Sequence, residues 1–262
     1  MGGMQGDFAD VKATVLGSTA IRGALNRAGL APESVDETIM GCVLPAGLGQ
    51  APARQASLGA GIPDSVPCTT VNKMCGSGMK AIMQGYDAIQ AGSAGVVVAG
   101  GMESMTNAPY LLPKGRGGMR LGHGEVLDHM FFDGLEDAFQ RGRLMGTFAE
   151  DCARKYNFTR EAQDAYAIES LKRAQNAIAK NLFKAEIEPV KFSGRKGEVV
   201  IDTDEQPGKA QLDKIPHLKP AFAKDGTVTA ANSSSISDGA AAVILMSESR
   251  AKALGCQAQA RI

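Results

Sequence analysis

The sequence predicts an α/β fold: a largely parallel sheet flanked by helices and interrupted by an inserted loop subdomain. Strand-like runs alternate with helical periodicity between residues 37 and 101, which is the order of strand–helix–strand units in a parallel sheet. The alternation stops near residue 103, in a Gly-, Pro- and Arg-rich stretch, and returns at 226–255. With 44% hydrophobic and 21% charged residues in a chain of 262, there is enough apolar surface for a sizeable core.

Each element follows from its pattern. Residues 10–28 place Leu16, Ala20, Ile21, Ala24, Leu25 and Ala28 at helical spacing, with Asp10 as N-cap and Gly29 just past the end. ETIMGCVL (37–44) reads as a strand, ARQASLGAG (53–61) as a short helix ending in glycine, and VPCTTVN (66–72) as a second strand. From Gly76 to Ala91, Met79, Ile82, Met83, Tyr86 and Ile89 recur at helical spacing, and Gly92 closes the segment. GVVVAGG (95–101) is a continuous apolar run, expected of a parallel strand buried on both faces. The stretch from 103 to 125 has no sustained period and reads as a long loop, a type of segment that tends to be functional. Helices are expected near 135–155 and 160–181, the second opening behind Thr159, and a hairpin at 190–202. In 226–255 a strand begins the segment, a small-residue turn follows, AAAVILM forms a buried strand, and a helix ends at Gly255. The expected organisation is a core of residues 1–103 and 225–262 around an insertion at 104–224.

Charge and cysteine usage exclude several functions. Lys plus Arg and Asp plus Glu both number 28, so no global field favours nucleic acid or an anionic membrane. No apolar stretch reaches the roughly 18 residues a membrane span needs, and residues 1–20 lack a signal-peptide pattern. Cys42, Cys68, Cys75, Cys152 and Cys256 form an odd set without a CxxC pair, which argues against a disulfide framework and for a reduced, cytoplasmic setting. His123, His129 and His217 lie at no metal-ligand spacing with a cysteine, so no metal is expected.

One residue raises a chemical question. Cys75 follows a predicted strand and directly precedes a helix, where free amides and the positive end of the helix dipole favour a thiolate. Glycines at 76 and 78 allow close approach of a substrate or of another backbone. A lone cysteine is also a common small core residue, and Gly-Ser-Gly turns are frequent, so local pattern leaves packing and nucleophile both open.

VNKMCGSGMKA followed by VVVAGGMESMTNAPY resembles the thiolases, the coenzyme A-dependent acyl-CoA acetyltransferases. The resemblance continues in order through DGLEDAF, LMGTFAE, DEQPGKAQLDKIPHLKPAF and GTVTAANSSSISDGAAAVILMSE, nearly the whole chain. It implies a thiolase-like N-terminal half with a mixed, largely parallel sheet. It also implies that Cys75 takes the acyl group as a thioester, with its backbone N–H donating to the oxyanion. Leu135, Met145, Phe222, Ala230, Ser233 and Ser234 match positions that contact the pantetheine arm or acyl group in the family; without the resemblance the first three read as packing and the two serines as turn formers. Lys114, Arg116, Arg120, Arg141, Arg143 and Lys209 would meet coenzyme A phosphates, a subunit neighbour or simply water. None of the three histidines matches the family's catalytic histidine.

The implied reaction is reversible: condensation of two acetyl-CoA to acetoacetyl-CoA, or thiolysis of a 3-ketoacyl-CoA, within fatty acid metabolism. Coenzyme A thioesters are the substrates, no metal or redox cofactor is needed, and the full-length protein is expected to be a homo-oligomer, dimer or tetramer. The sequence departs from the family in lacking its second-half motifs: a Gly-His-Pro histidine, a second cysteine in Cys-x-Gly and an Asn-Glu-Ala-Phe loop. MGGMQGDF also lacks the strand that precedes it in the family. The expectation is therefore an N-terminal half that turns over poorly or not at all alone, and that is prone to aggregate through exposed apolar surface. Leu144–Met145 stands where many short-chain members have His-Met, which leaves acyl-chain preference open. Two alternatives are a non-catalytic remnant that binds coenzyme A or a partner subunit, and a β-ketoacyl synthase, which GGMES and NKMCGSG disfavour.

Overall fold

The structure, a computed structural model, describes residues 1–194 and 197–262. The middle of the expected hairpin, Arg195 and Lys196, lies outside them. Two compact units divide the chain.

The first unit comprises residues 8–108, 188–202 and 238–262 and holds the sheet. Its strands lie in the order Ser237–Met246, Val96–Ser104, Glu37–Gly41 and Cys68–Val71. The last three run parallel, with Ile39 opposite both Thr69 and Ala99, and Ser237–Met246 pairs antiparallel with Val96–Ser104. The mixed, largely parallel sheet is thus present. Its central strand explains the unbroken apolar run in the sequence: successive side chains leave on opposite faces, and both faces are covered. Val96 and Val98 pack with Met40, Ile21 and Leu25 on one side. Val97 and Ala99 pack with Ile39, Ala81 and Leu245 on the other, and the four central residues Val96–Ala99 are fully buried. Helices Ala13–Ala28 and Pro52–Gly59 contribute to the first cluster and Ser77–Ala91 to the second.

The first helix begins at Ala13, not at Val11 behind an Asp10 cap; Lys12 precedes it and its side chain caps nothing. The Val11 side chain is buried and its N–H donates to the Phe8 carbonyl, so residues 8–11 are held as a turn before the helix can start. Gly29, Gly92 and Gly255 end their helices in the left-handed conformation, as the sequence predicts. The hairpin pairs Val190–Gly194 with Gly197–Ile201, and Val190 packs with Phe8, Val11 and Leu16.

The second unit gathers Met1–Asp7, Pro109–Ile187 and Thr203–Ser237. Its elements are a two-residue ladder (Tyr110–Leu111 with Leu127–Asp128), a π-helical turn Met130–Leu135, and helices Met145–Tyr156, Arg160–Ala179 and Glu205–Lys209. Thr159 caps the second helix by accepting from the Ala162 N–H, as predicted. The expected helix over 135–155 starts only at Met145. The Asp137 carboxylate takes the N–H groups of Phe139 and Gln140, and Gly142 adopts φ 84°, so the chain turns before the helix begins.

The strand expected at the start of 226–255 is absent, although GTVTA is β-prone. Its amides are claimed by side chains instead. The N–H groups of Thr227 and Val228 donate to the buried Glu150 carboxylate, and that of Thr229 donates to the Asn232 side chain. A second buried carboxylate, Glu205, holds Met1–Asp7 in the same way, accepting from the N–H groups of Gly3 and Asp7 and pairing with Lys209.

Candidate active site

Strand Cys68–Val71 passes into helix Ser77–Ala91 through five residues, and Cys75, the fourth of them, is exposed. Met74 adopts φ 49°, the left-handed region that a residue with a side chain enters only when its surroundings impose it. The surroundings are specific. The Asn72 carboxamide oxygen accepts from the Met74 N–H at 2.9 Å. The buried Ser77 hydroxyl accepts from the Lys73 N–H at 2.9 Å and donates to the Met74 carbonyl at 2.5 Å. Backbone bonds from Gly76 to Lys73 and from Ser77 to Met74 close the turn.

A glycine beneath the helix start lets it sit on the sheet. A Cβ on Gly41, at the carboxyl end of its strand, would lie 2.7 Å from the Ser77 carbonyl carbon and Cβ. At Gly78 a Cβ would make only ordinary contact, 3.7 Å from the Gly100 backbone, so the close seat is at Gly41. The turn therefore stands at the carboxyl end of parallel strands, where open α/β sheets place ligand sites.

Cys42 has the opposite character. It is buried, and burial first, then the neighbouring Glu103 carboxylate, pushes its thiol up to about 12. That carboxylate also accepts from the N–H groups of Val43 and Leu44. Cys42 is a packing cysteine; Cys75 faces solvent.

The other predicted site residues all lie in the second unit. Met145 is the first residue of its helix, and Gly146 beside it faces the Phe222 ring so closely that a Cβ there would meet the ring at 2.3 Å. Phe222 thus lies against the residue that follows Met145. Phe222 also lines a cleft of 460 Å³ with Arg141, Arg143, Glu150, Asp151 and Arg154. Two of its arginines are internally paired, Arg143 and Arg154 with Asp151, and Arg141 pairs with Glu125. Leu135 ends the π-helical turn and is half-buried.

Ala230, Ser233 and Ser234 share one turn, with Ala230 and Ser234 exposed and the Ser233 hydroxyl donating to the Thr229 carbonyl at 2.7 Å. Its braces are Glu150 and Asn232; the latter donates to the buried Asp164 carboxylate and to the Thr227 carbonyl, both at 3.0 Å. Sequence reading missed these three residues and Ser77. Glu150 and Asp164 sit in helices with many other charged residues, and Asn232 and Ser77 in stretches of small residues, so no local pattern singles them out. Of the histidines, His129 is buried with Nδ1 2.6 Å from Asp133, while His123 and His217 are exposed. Among the described residues no group of three His, Cys, Asp or Glu side chains is placed to hold a metal ion.

A covered, largely parallel mixed sheet with an exposed cysteine where a strand becomes a helix defines the class: an α/β protein whose candidate reactive group is a thiol. Comparison with known proteins gives the family. The thiolase N-terminal domain matches residues 1–249. An acetyl-CoA acetyltransferase of Schizosaccharomyces pombe is 49% identical across 100% of this chain and 67% of its own length. One of Pseudomonas aeruginosa is 51% identical over the same shares. The crystal structure of the Bacillus anthracis acetyl-CoA acetyltransferase superposes with a TM-score of 0.92 at 40% identity, covering 98% of this chain and 65% of that one. A thiolase from Ascaris suum in complex with coenzyme A gives 0.90 at 41% identity, with the same coverage. The chain belongs to the thiolase family, and it spans about two thirds of the length of these relatives.

Proposed function

We propose that this chain carries the acyl-accepting cysteine of an acetyl-CoA C-acetyltransferase. The Cys75 thiolate attacks the carbonyl carbon of an acyl-CoA, the new C–S bond forms, the bond to the coenzyme A sulfur breaks, and coenzyme A leaves as a thiolate that takes up a proton. In the condensing direction the α-carbon of a second acetyl-CoA gives up a proton to a base and forms a C–C bond to the thioester carbonyl carbon, and the Cys75 C–S bond breaks to return the thiolate. In the reverse direction the Cys75 thiolate attacks the 3-keto carbon of a 3-ketoacyl-CoA, the C–C bond breaks, and the departing acetyl-CoA carbanion takes up a proton. Coenzyme A then takes the acyl group from Cys75. A covalent thioester divides one difficult transfer into two easier ones. Leu135, Met145, Phe222, Ala230, Ser233 and Ser234 line the path of the pantetheine arm, and the Cys75 N–H is one oxyanion donor. The assembled enzyme is a cytoplasmic homo-oligomer acting on fatty acyl thioesters.

One observation carries the reading. The exposed cysteine stands on a clamped turn at the carboxyl end of parallel strands, in a chain about half identical to proteins named acetyl-CoA acetyltransferases. The coenzyme A complex of the Ascaris suum neighbour supports the substrate class.

The test is stoichiometric labelling with radiolabelled acetyl-CoA. The expected result is a hydroxylamine-sensitive adduct on Cys75 that disappears in Cys75→Ser. A folded chain without such an adduct would favour a remnant that binds coenzyme A without chemistry.

A further inference from the structure

Two side chains hold the turn that presents Cys75: Asn72 accepts from the Met74 N–H, and Ser77 binds the turn at two points. Ser77 is 5% exposed, and its hydroxyl contacts the chain on the near side of the nucleophile at two points. It accepts from the Lys73 N–H and donates to the Met74 carbonyl, and the Ser77 amide donates to that same carbonyl at 3.0 Å. Between those contacts lies Met74 at φ 49°, a backbone conformation that a methionine does not choose unaided. The direction of the Cys75 side chain depends on the dihedrals of Met74 immediately before it. A relaxed Met74 would redirect the thiol without breaking any strand or helix.

Ser77 is itself closely packed. Its backbone is seated on Gly41, where no side chain fits, and its helix packs on the sheet through Ala81. A rigid helix start therefore holds a strained residue through a hydroxyl. A preorganised first shell held by such supports is what precise group transfer requires.

We propose that Ser77 is a positioning residue for acyl transfer to Cys75, acting by locking Met74 in the left-handed conformation. The proposal rests on the reading of Cys75 as the acyl acceptor. Ser77 touches no substrate in this role; its effect passes through Met74.

The experiment compares the wild-type chain with Ser77→Ala and with the double variant Ser77→Ala/Met74→Gly. Three quantities are read: the rate of Cys75 acetylation from acetyl-CoA, the rate of its alkylation by iodoacetamide, and amide hydrogen exchange at Lys73. Ser77→Ala is expected to lower acetylation at least tenfold while alkylation, which needs little orientation, stays within threefold. Lys73 exchange is expected to accelerate at least tenfold. Glycine occupies the left-handed region without a clamp, so the double variant should recover at least threefold of the lost acetylation. A purely structural role for Ser77 would not be rescued that way.

Ser77→Ala acetylated within threefold of wild type would overturn the proposal alone. Unchanged Lys73 exchange would refute the clamp, whatever happens to acetylation. An unlabelled wild-type chain would instead overturn the acyl-acceptor reading on which the proposal stands. If Ser77→Ala unfolds, the clamp is judged on Met74→Gly in the otherwise wild-type chain, where added freedom beside an intact Ser77 should leave acetylation within threefold; a tenfold loss would count against it.

Discussion

Gly41→Ala is the sharpest test of how the site is built, because the added methyl meets backbone and not a flexible side chain. The new Cβ would lie 2.7 Å from the Ser77 carbonyl carbon and Cβ, and 2.8 Å from the Gly78 nitrogen. Comfortable carbon–carbon contact begins near ~3.5 Å, so the helix start must retreat by about 0.8 Å or the strand must bend. Overpacking of this kind costs about 1–3 kcal/mol, which a cooperative fold survives. The functional effect is larger, since a reacting group misplaced on the scale of 1 Å loses roughly 10²-fold in rate. The predicted outcome is a folded chain whose Cys75 accepts acetyl from acetyl-CoA about 30- to 100-fold more slowly. Single-turnover labelling measures this, with circular dichroism reporting the fold. Gly117→Ala, whose Cβ would meet nothing within 4 Å, serves as control and should label normally. Gly41→Ala labelled within twofold of wild type would refute the claim that the glycine seat fixes the nucleophile.

Other predictions concern the supports around the two units. Glu150→Ala removes the carboxylate that accepts the Thr227 and Val228 N–H groups and leaves the buried Val228 N–H without its partner, which should cost about 2 kcal/mol by denaturant unfolding; a loss below about 0.5 kcal/mol would contradict its bracing role. Burial of Glu205 raises its carboxyl, but the Lys209 ammonium and the N–H groups of Asp7 and Gly3 outweigh this and hold it at about 2, below its ordinary 4.5. Its contribution to stability is therefore complete above about pH 5 and fades as pH falls toward 2. The urea midpoints of wild type and Glu205→Gln should converge across that window, and a constant gap would count against the assignment. Iodoacetamide at pH 8 should alkylate Cys75 and spare Cys42, whose thiol is held up to about 12; peptide mapping that finds Cys42 modified first would overturn the contrast. Gly146→Ala would drive the Phe222 ring aside and is expected to raise the Kd for coenzyme A roughly fivefold or more by calorimetry, whereas unchanged binding would remove Phe222 from the proposed path.

What the sequence made legible and what it hid divide along one physical line. Val96–Ala99 announced a strand covered on both faces because burial of both faces leaves no polar alternation, a property of the strand alone. Cys75 was legible as a candidate for a similar reason, since strand, glycine turn and helix are all local. Long-range partners were not. GTVTA reads as a strand by propensity, yet Glu150, 77 residues upstream, takes the amide that would have begun a ladder. Asp10 was a reasonable cap until the buried Val11 fixed a turn ahead of the helix. The hydroxyl of Ser77 is visible in CGSG, but its two contacts depend on a left-handed Met74 that no pattern forecasts.

The turn at 227–234 carries a consequence for how this protein can change. Its shape is stored elsewhere in the chain, in Glu150 on one helix and in Asp164 acting through Asn232 on the next. Ala230 and Ser234 are exposed and bear none of that load, so they are free to be exchanged while the loop keeps its path. Substitution at those two positions carries little structural risk. The same loop grafted alone onto another scaffold would arrive without the residues that remember its form.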